Sequence, residues 1–340
     1  MRSVCAALCL AGAIWSQEPH TVTIGGVRLQ PGGFVDVIGM SRSASTADSI
    51  STRFGSIPLS DTEDQSILSL RNSRLRLMAD RDLGSVHITG FLESDFLNVS
   101  PGQSDFRWRH YWVRARFRSW ELMGGQAWSL LRPNRKGYDG ERDMMHTEVI
   151  DAAYHVGLLG SRRRQIRLSR SFGAYKAAFA WETQGNFLAR FTADGRLGHL
   201  DATAFTGHHD RRGITVAGQV NLRPRLRFVT QQYWSKRAIF EALGVISGGP
   251  NGMASLEGLE FVPARNWQVY SYGGLVYGSR SLGNRLVREF TVGADRFLPL
   301  PDRLGVLRFS VQYTKSDRFT WAGRSGNLDF VMYRMRYTFL

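Results

Sequence analysis

Arginines and carboxylates at alternate positions carry whatever chemistry this chain has. Arg74 and Arg76 stand two apart in NSRLRLMAD, and Glu93 and Asp95 two apart in GFLESDF. The same spacing recurs at Arg114 and Arg116, and at Arg334 and Arg336; Arg163, Arg167 and Arg308 also lie on alternating runs. Arginine stays ionised and grips carboxylate or phosphate with a planar fork. A row of such groups facing solution favours anions. The same row facing acids on a neighbouring strand pairs with them and stiffens a wall. Both readings remain open for Arg74 and Arg76 beside Glu93 and Asp95. The two acids also invite a reading as a catalytic carboxylate pair, but alternate positions in one strand next to two arginines favour ionised, structural acids. His208-His209-Asp210 has no further metal ligand at useful spacing. The chain has no G-x-S-x-G and no phosphate-binding P-loop. The expectation is therefore no catalytic residue, no metal and no cofactor.

The elements that position these charges are strands. In Leu68–Leu97, Leu75, Leu77 and Ala79 alternate with Arg74, Arg76 and Met78. After a tight turn at Asp80–Gly84, Val86, Ile88, Gly90 and Leu92 alternate with His87, Thr89, Phe91, Glu93 and Asp95. Successive strand side chains point to opposite faces, so this is an antiparallel hairpin with one apolar and one charged face. Arms of about a dozen residues exceed the usual strand of a soluble sheet and suit a tilted strand crossing a bilayer. Lipid then takes the apolar face and a watery lumen the charged one.

The pattern repeats along 340 residues that are 43% hydrophobic, with a mean hydropathy of −0.25. No run approaches the length of an apolar transmembrane helix. Arg2, the apolar run Val4–Ile14 and Ala11-Gly12-Ala13 read as a secretory signal peptide over residues 1–16, cleaved after Ala13 or Ser16. Cys5 and Cys9 both fall inside it, so the mature chain needs no disulfide. Residues 17–32 read as a periplasmic leader and 33–340 as a barrel. The net charge is +15, and only Lys136, Lys176, Lys236 and Lys315 of the 44 basic residues are lysine. A basic chain suggests nucleic acid. Arginines on alternate strand positions of an exported chain point instead to anionic solutes or to lipopolysaccharide phosphate; for Arg211 and Arg212, lipopolysaccharide phosphate or simple solvation is favoured over solute selection.

About sixteen such strands can be laid out, separated alternately by short turns and generally longer loops, as in an up-and-down transmembrane barrel. Lipid cannot satisfy a strand edge, so the sheet must close. An even count puts both termini on the periplasmic side. Trp120, Trp181, Trp234, Trp267 and Trp321 fall at girdle positions near strand ends. The longest break, Arg132–Ser161, holds Arg132, Arg135, Asp139, Glu141, Arg142 and Asp143, and its MMHTEVIDAAYHVG half has helical spacing.

Five segments in this order, GGFVDVIG, RLRLMA, GFLESDF, RHYWVRARF and GGQAWSLL before the long loop, resemble bacterial outer-membrane porins of the sixteen-stranded trimeric kind, and within them the DcaP-like porins. The resemblance implies an all-β transmembrane barrel, a homotrimer and a long constriction loop folded into the lumen. It also implies passive diffusion of small hydrophilic solutes, often anionic and dicarboxylates among them. Such chains usually end on an aromatic read by the barrel-assembly machinery; here Phe339 is followed by Leu340, with Tyr333 and Tyr337 keeping the rest of the pattern. The expected lumen residues are Arg74, Arg76, Glu93, Asp95, Arg114, Arg116, Arg163, Arg167, Arg308, Arg334 and Arg336, with acids of the long loop opposing them across a transverse field. A plugged structural or adhesion barrel, or a barrel-embedded hydrolase, would share the pattern.

Overall fold

Alternating faces leave two sets of side chains to bury, and the chain does so by closing one antiparallel sheet on itself. A computed structural model describes residues 21–47, 49–97, 106–135, 155–239, 242, 251–280, 283–301 and 304–339. Its strands are β1 (Val22–Ile24), β2 (Val27–Arg42), β3 (Gln65–Ser69), β4 (Arg74–Leu83), β5 (Val86–Asp95), β6 (Arg107–Phe117), β7 (Trp120–Trp128), β8 (Arg162–Phe172) and β9 (Tyr175–Glu182). They continue as β10 (Asn186–Gly195), β11 (Gly198–Gly207), β12 (Arg211–Arg223), β13 (Leu226–Lys236), β14 (Gly252–Ala264), β15 (Trp267–Gly278), β16 (Asn284–Pro299), β17 (Val306–Thr320) and β18 (Ser325–Phe339).

From β4 onward each strand pairs antiparallel with the next, and β18 returns to β2 in the register Phe330↔Arg42 to Phe339↔Gly33. β3 and β4 pair with opposite halves of β2, so together they fill one position in the wall. β1 is a short flap on β2. The result is a closed barrel of sixteen strands. Closure leaves no edge, as a strand wall in hydrocarbon requires.

Large apolar side chains cover the outside: Leu75, Leu92, Val113, Ile166, Phe179, Phe290 and Tyr333 are all exposed there. Trp120, Trp181, Trp234 and Trp267 are exposed at strand ends as girdle residues. Trp321 differs slightly: its indole N–H donates to Gly278 O at 3.2 Å, and its ring stands edge-on to Tyr277. No helix among the described residues is long enough and apolar enough to cross a membrane; the crossing elements are strands.

The wall begins earlier than the leader boundary at Gly32 implies. β2 starts at Val27, and Arg28–Phe34 pairs with Arg74–Asp80. Pro31 and Gly32, at the end of the expected leader, lie instead inside this strand. Gly33 has φ +154°, and a Cβ there would stand 2.2 Å from Arg74 O. Glycine allows this close approach without breaking the strand. The expected hairpin of Leu68–Leu97 is also interrupted: Leu70–Ser73 forms a hydrogen-bonded turn between β3 and β4. Several connections at the long-loop end are short, namely 183–185, 208–210 and 321–324.

Candidate functional site: the charged inner wall

Inward side chains from β16 round to β7 form a sequence of ion pairs in which most acids are shared between arginines. Asp295 takes the Nε and Nη2 of Arg308 at 2.9 and 2.6 Å, with Arg334 at 3.5 Å. Asp36 accepts from Arg336 at 2.5 Å and from Asn72 Nδ2 at 2.8 Å. Glu93 lies 3.8 Å from Arg74 and accepts from Arg109 Nε at 2.7 Å. Asp95 is gripped by Arg107 through both oxygens, at 2.7 and 2.6 Å, and by Arg109 Nη1 at 2.6 Å. Glu121 sits between Arg114 at 3.7 Å and Arg116 at 3.2 Å. Aromatic rings hold some of the cations: Arg336 and Arg74 lie over Phe34, and Arg132 and Arg162 over Trp128. Guanidinium groups therefore exceed the carboxylates that hold them.

Arg107 and Arg109 were not anticipated. Strict alternation from His110 puts Arg109 on the outer face with Tyr111. The β5–β6 register shifts between Glu93 and Ser94, so that Glu93 opposes His110 while Ser94 opposes Trp108. Arg109 is the extra residue of this bulge, which re-aims it inward. Arg109 and His110 are both 2% exposed, while Trp108 points out. The grip of Arg109 on Glu93 and Asp95 leaves Arg74 and Arg76 less committed to those acids than their cross-strand positions suggest.

The expected lumen arginines divide by reach. Arg114, Arg167 and Arg334 are 5%, 2% and 4% exposed and belong to the fabric of the wall. Arg167 donates to Met123 Sδ at 3.2 Å. Arg163 is half-buried beside Ser161 Oγ, 3.0 Å from its Nε. Arg74, Arg308 and Arg336 are partly open, and Arg76 and Arg116 are exposed. Gly32 makes room for the Arg76 stem, since a Cβ there would lie 2.8 Å from its Nε.

The long β7–β8 connection folds into the lumen, as expected. Its descending leg lies on β9 to β14. Leu130 N donates to Glu182 Oε1 at 3.3 Å, Arg190 Nη1 donates to Leu130 O and Arg132 O at 3.2 and 2.8 Å, and Asn134 N donates to Asp201 Oδ2 at 2.8 Å. Arg135 reaches Gln219 and Glu260, both from Nη1 at 2.8 Å. The returning leg docks on β13 to β16: Val156 N on Glu289 at 2.8 Å, Leu159 N on Gln231 at 3.1 Å, and Gln231 Nε2 on Gly157 O at 2.8 Å. Arg132 and Arg135 are thus anchors of the loop rather than cations offered to a solute; Arg132 is 2% exposed and donates to Leu159 O at 3.1 Å. Asp139, Glu141, Arg142, Asp143 and most of the helical spacing fall outside the described residues.

An apolar cluster also packs inside the long-loop end. Ile50, Phe54 and Ile57 of the β2–β3 connection join Leu130, Leu131, Val156, Leu159 and Ile239, together with inward Ile38, Phe330 and Met332. The first loop is tied down by Asn284 Nδ2 to Gly55 O at 2.9 Å and Arg318 Nη1 to Ile57 O at 2.7 Å. His208, His209 and Asp210 form the β11–β12 turn, where a hydrogen bond from Lys236 holds the Asp210 carboxyl below its usual range. Among the described residues no group of three or more His, Cys, Asp or Glu is placed to hold a metal ion.

This closed sixteen-stranded wall with an inward third loop is the fold of the outer-membrane porins. Among solved structures, the chain is similar to the outer membrane channel DcaP of Acinetobacter baumannii, at 16% identity over 93% of this chain and 99% of that one, with a TM-score of 0.76. It is also similar to an anion-selective porin from Comamonas acidovorans, at 13% identity over 92% and 100% and a TM-score of 0.61. The outer-membrane protein OmpT of Vibrio cholerae, lacking its loop L8, gives 10% identity over 92% and 100% at the same TM-score of 0.61. No protein-family model matches the chain, and no curated protein matches it.

Proposed function

We propose that this chain is an outer-membrane porin, a passive diffusion channel for small hydrophilic solutes that prefers anions, dicarboxylates among them. The surplus of arginine along the inner wall carries the reading. Asp295, Glu121 and Asp95 are each flanked by two guanidinium groups, and Arg76 and Arg116 add exposed positive charge. In a low-dielectric channel such a field concentrates anions. The described legs of the inward loop dock on β9 to β16, and the reading takes the solute path along β17, β18, β2 and β4 to β8. Export through the signal peptide, assembly through the C-terminal strand, association as a homotrimer and contact with lipopolysaccharide complete the proposal. Reversal potentials across planar bilayers in a salt gradient test it, with cation selectivity as the contrary result.

One observation favours a second reading, a plugged structural barrel. The apolar cluster of Phe54, Ile57, Leu130, Leu159 and Ile239 narrows the long-loop end from several sides. Bilayer recordings separate the two, because a plugged barrel gives no conductance steps.

A further inference from the structure

Water favours polar side chains on the inner wall, yet β2 places Phe34 there, two residues before buried Asp36 and next to outward Val35. Phe34 is half-buried and belongs to none of the apolar clusters formed by the described residues inside the barrel. Core packing therefore does not account for it. Its ring lies instead under two guanidinium groups from the strands on either side. Arg74 stands directly across on β4, its Cζ 5.2 Å from the ring centroid, and Arg336 reaches over from β18 at 3.8 Å. An acid stands beside each cation: Asp36 accepts from Arg336 at 2.5 Å, and Glu93 lies 3.8 Å from Arg74. Glu93 is drawn more closely to Arg109, at 2.7 Å. Both guanidinium side chains stay partly open, 19% for Arg74 and 17% for Arg336.

We propose that Phe34 is a positioning residue for ion selectivity: its ring holds the Arg336 and Arg74 guanidinium groups by their faces and keeps their charge directed into the lumen. The inference rests on the porin reading and names a residue that sets the field of its inner wall. The negative face of an aromatic ring attracts a cation, and guanidinium, planar and weakly hydrated, stacks on it. Asp36 and Glu93 draw the same two cations sideways. A cation closed fully onto its acid offers little charge to a passing solute, whereas one shared between acid and ring keeps N–H donors open. Without the ring, Arg74 closes on Glu93, Arg336 settles against Asp36, and the local positive field falls.

Reversal potentials of the full chain in a potassium chloride gradient test this, with the wild type compared to Phe34→Leu and Phe34→Tyr. Leucine keeps apolar bulk without the ring face, and tyrosine restores the face. Phe34→Leu should lower the chloride-to-potassium permeability ratio about threefold while keeping the heat-modifiable gel mobility of a folded barrel, and Phe34→Tyr should match the wild type. If Phe34→Leu does not fold, Phe34→Met carries the same expectation. An unchanged ratio in the folded variant without the ring, or an equal fall in Phe34→Tyr, would overturn the role of the ring. The shift between variants is read whatever the wild type prefers, so a cation-selective wild type contradicts the anion preference alone. In a barrel without conductance steps, equilibrium dialysis of radiolabelled sulfate against the detergent-purified chain reads the same field. Phe34→Leu should then bind about threefold more weakly than the other two, and equal binding by all three would overturn the proposal.

Discussion

Arg76 and Arg109 show how differently two inward arginines act. Arg76 is exposed and opposes Glu93 across the β4–β5 ladder without a close carboxylate contact among the described residues, so its charge faces the lumen. Two charges 4 Å apart in water interact by about 1 kcal/mol, so Arg76→Ala should lower the anion-to-cation permeability ratio by up to about fivefold. Replacing buried Arg114 should change it less; equal shifts at the two positions would contradict this division of roles. Arg109 is 2% exposed and bridges Glu93 and Asp95. Breaking a buried pair strands its partners and costs about 3–5 kcal/mol. Arg109→Ala should therefore lower the temperature at which the barrel loses its compact, heat-modifiable mobility on gels, whereas Arg76→Ala should leave that temperature in place.

The inward loop is held by particular contacts at the scale of the element. Arg135 on Glu260 is its farthest described anchor on the descending leg, and Gly157 lies flat on β14 with φ +84°. A Cβ at Gly157 would stand 2.2 Å from Ser255 O, so Gly157→Ala must lift the returning leg. Both Gly157→Ala and Glu260→Gln should raise open-channel noise in single-channel records. A quiet channel in both would show that the loop is held elsewhere. These anchors were not legible in the sequence. Alternation gives the facing of β4, β8, β17 and β18 because lipid and water impose opposite demands on successive positions. Nothing in a local pattern couples Arg135 to Glu260, which closure of the barrel alone brings together. The bulge at Arg109 escaped for a related reason: one inserted residue reverses the facing of its neighbours along the strand, and only the partner strand reveals it. The leader boundary at Gly32 fell too late because Gly and Pro, which punctuate loops, also occur inside this strand beside β4.

The molecule as a whole is organised by its two solvents. Apolar side chains line the outside of every described wall strand, and shared ion pairs line half the inside, with a loop and an apolar cluster filling much of the rest. A charge on the outer face violates that order. Val113, fully outward on β6, should not tolerate arginine: Val113→Arg should cost about 2–4 kcal/mol if it lies near the bilayer midplane, read as a lower urea midpoint in lipid vesicles. An unchanged midpoint would mean that this face meets water or another protein surface. The inside sets what the barrel passes. Purified protein in a planar bilayer, bathed by unequal potassium chloride on the two sides, should produce discrete conductance steps with a reversal potential on the chloride side of zero. Steps with a reversal potential on the potassium side would contradict the anion-preferring wall, and the absence of steps would contradict the pore.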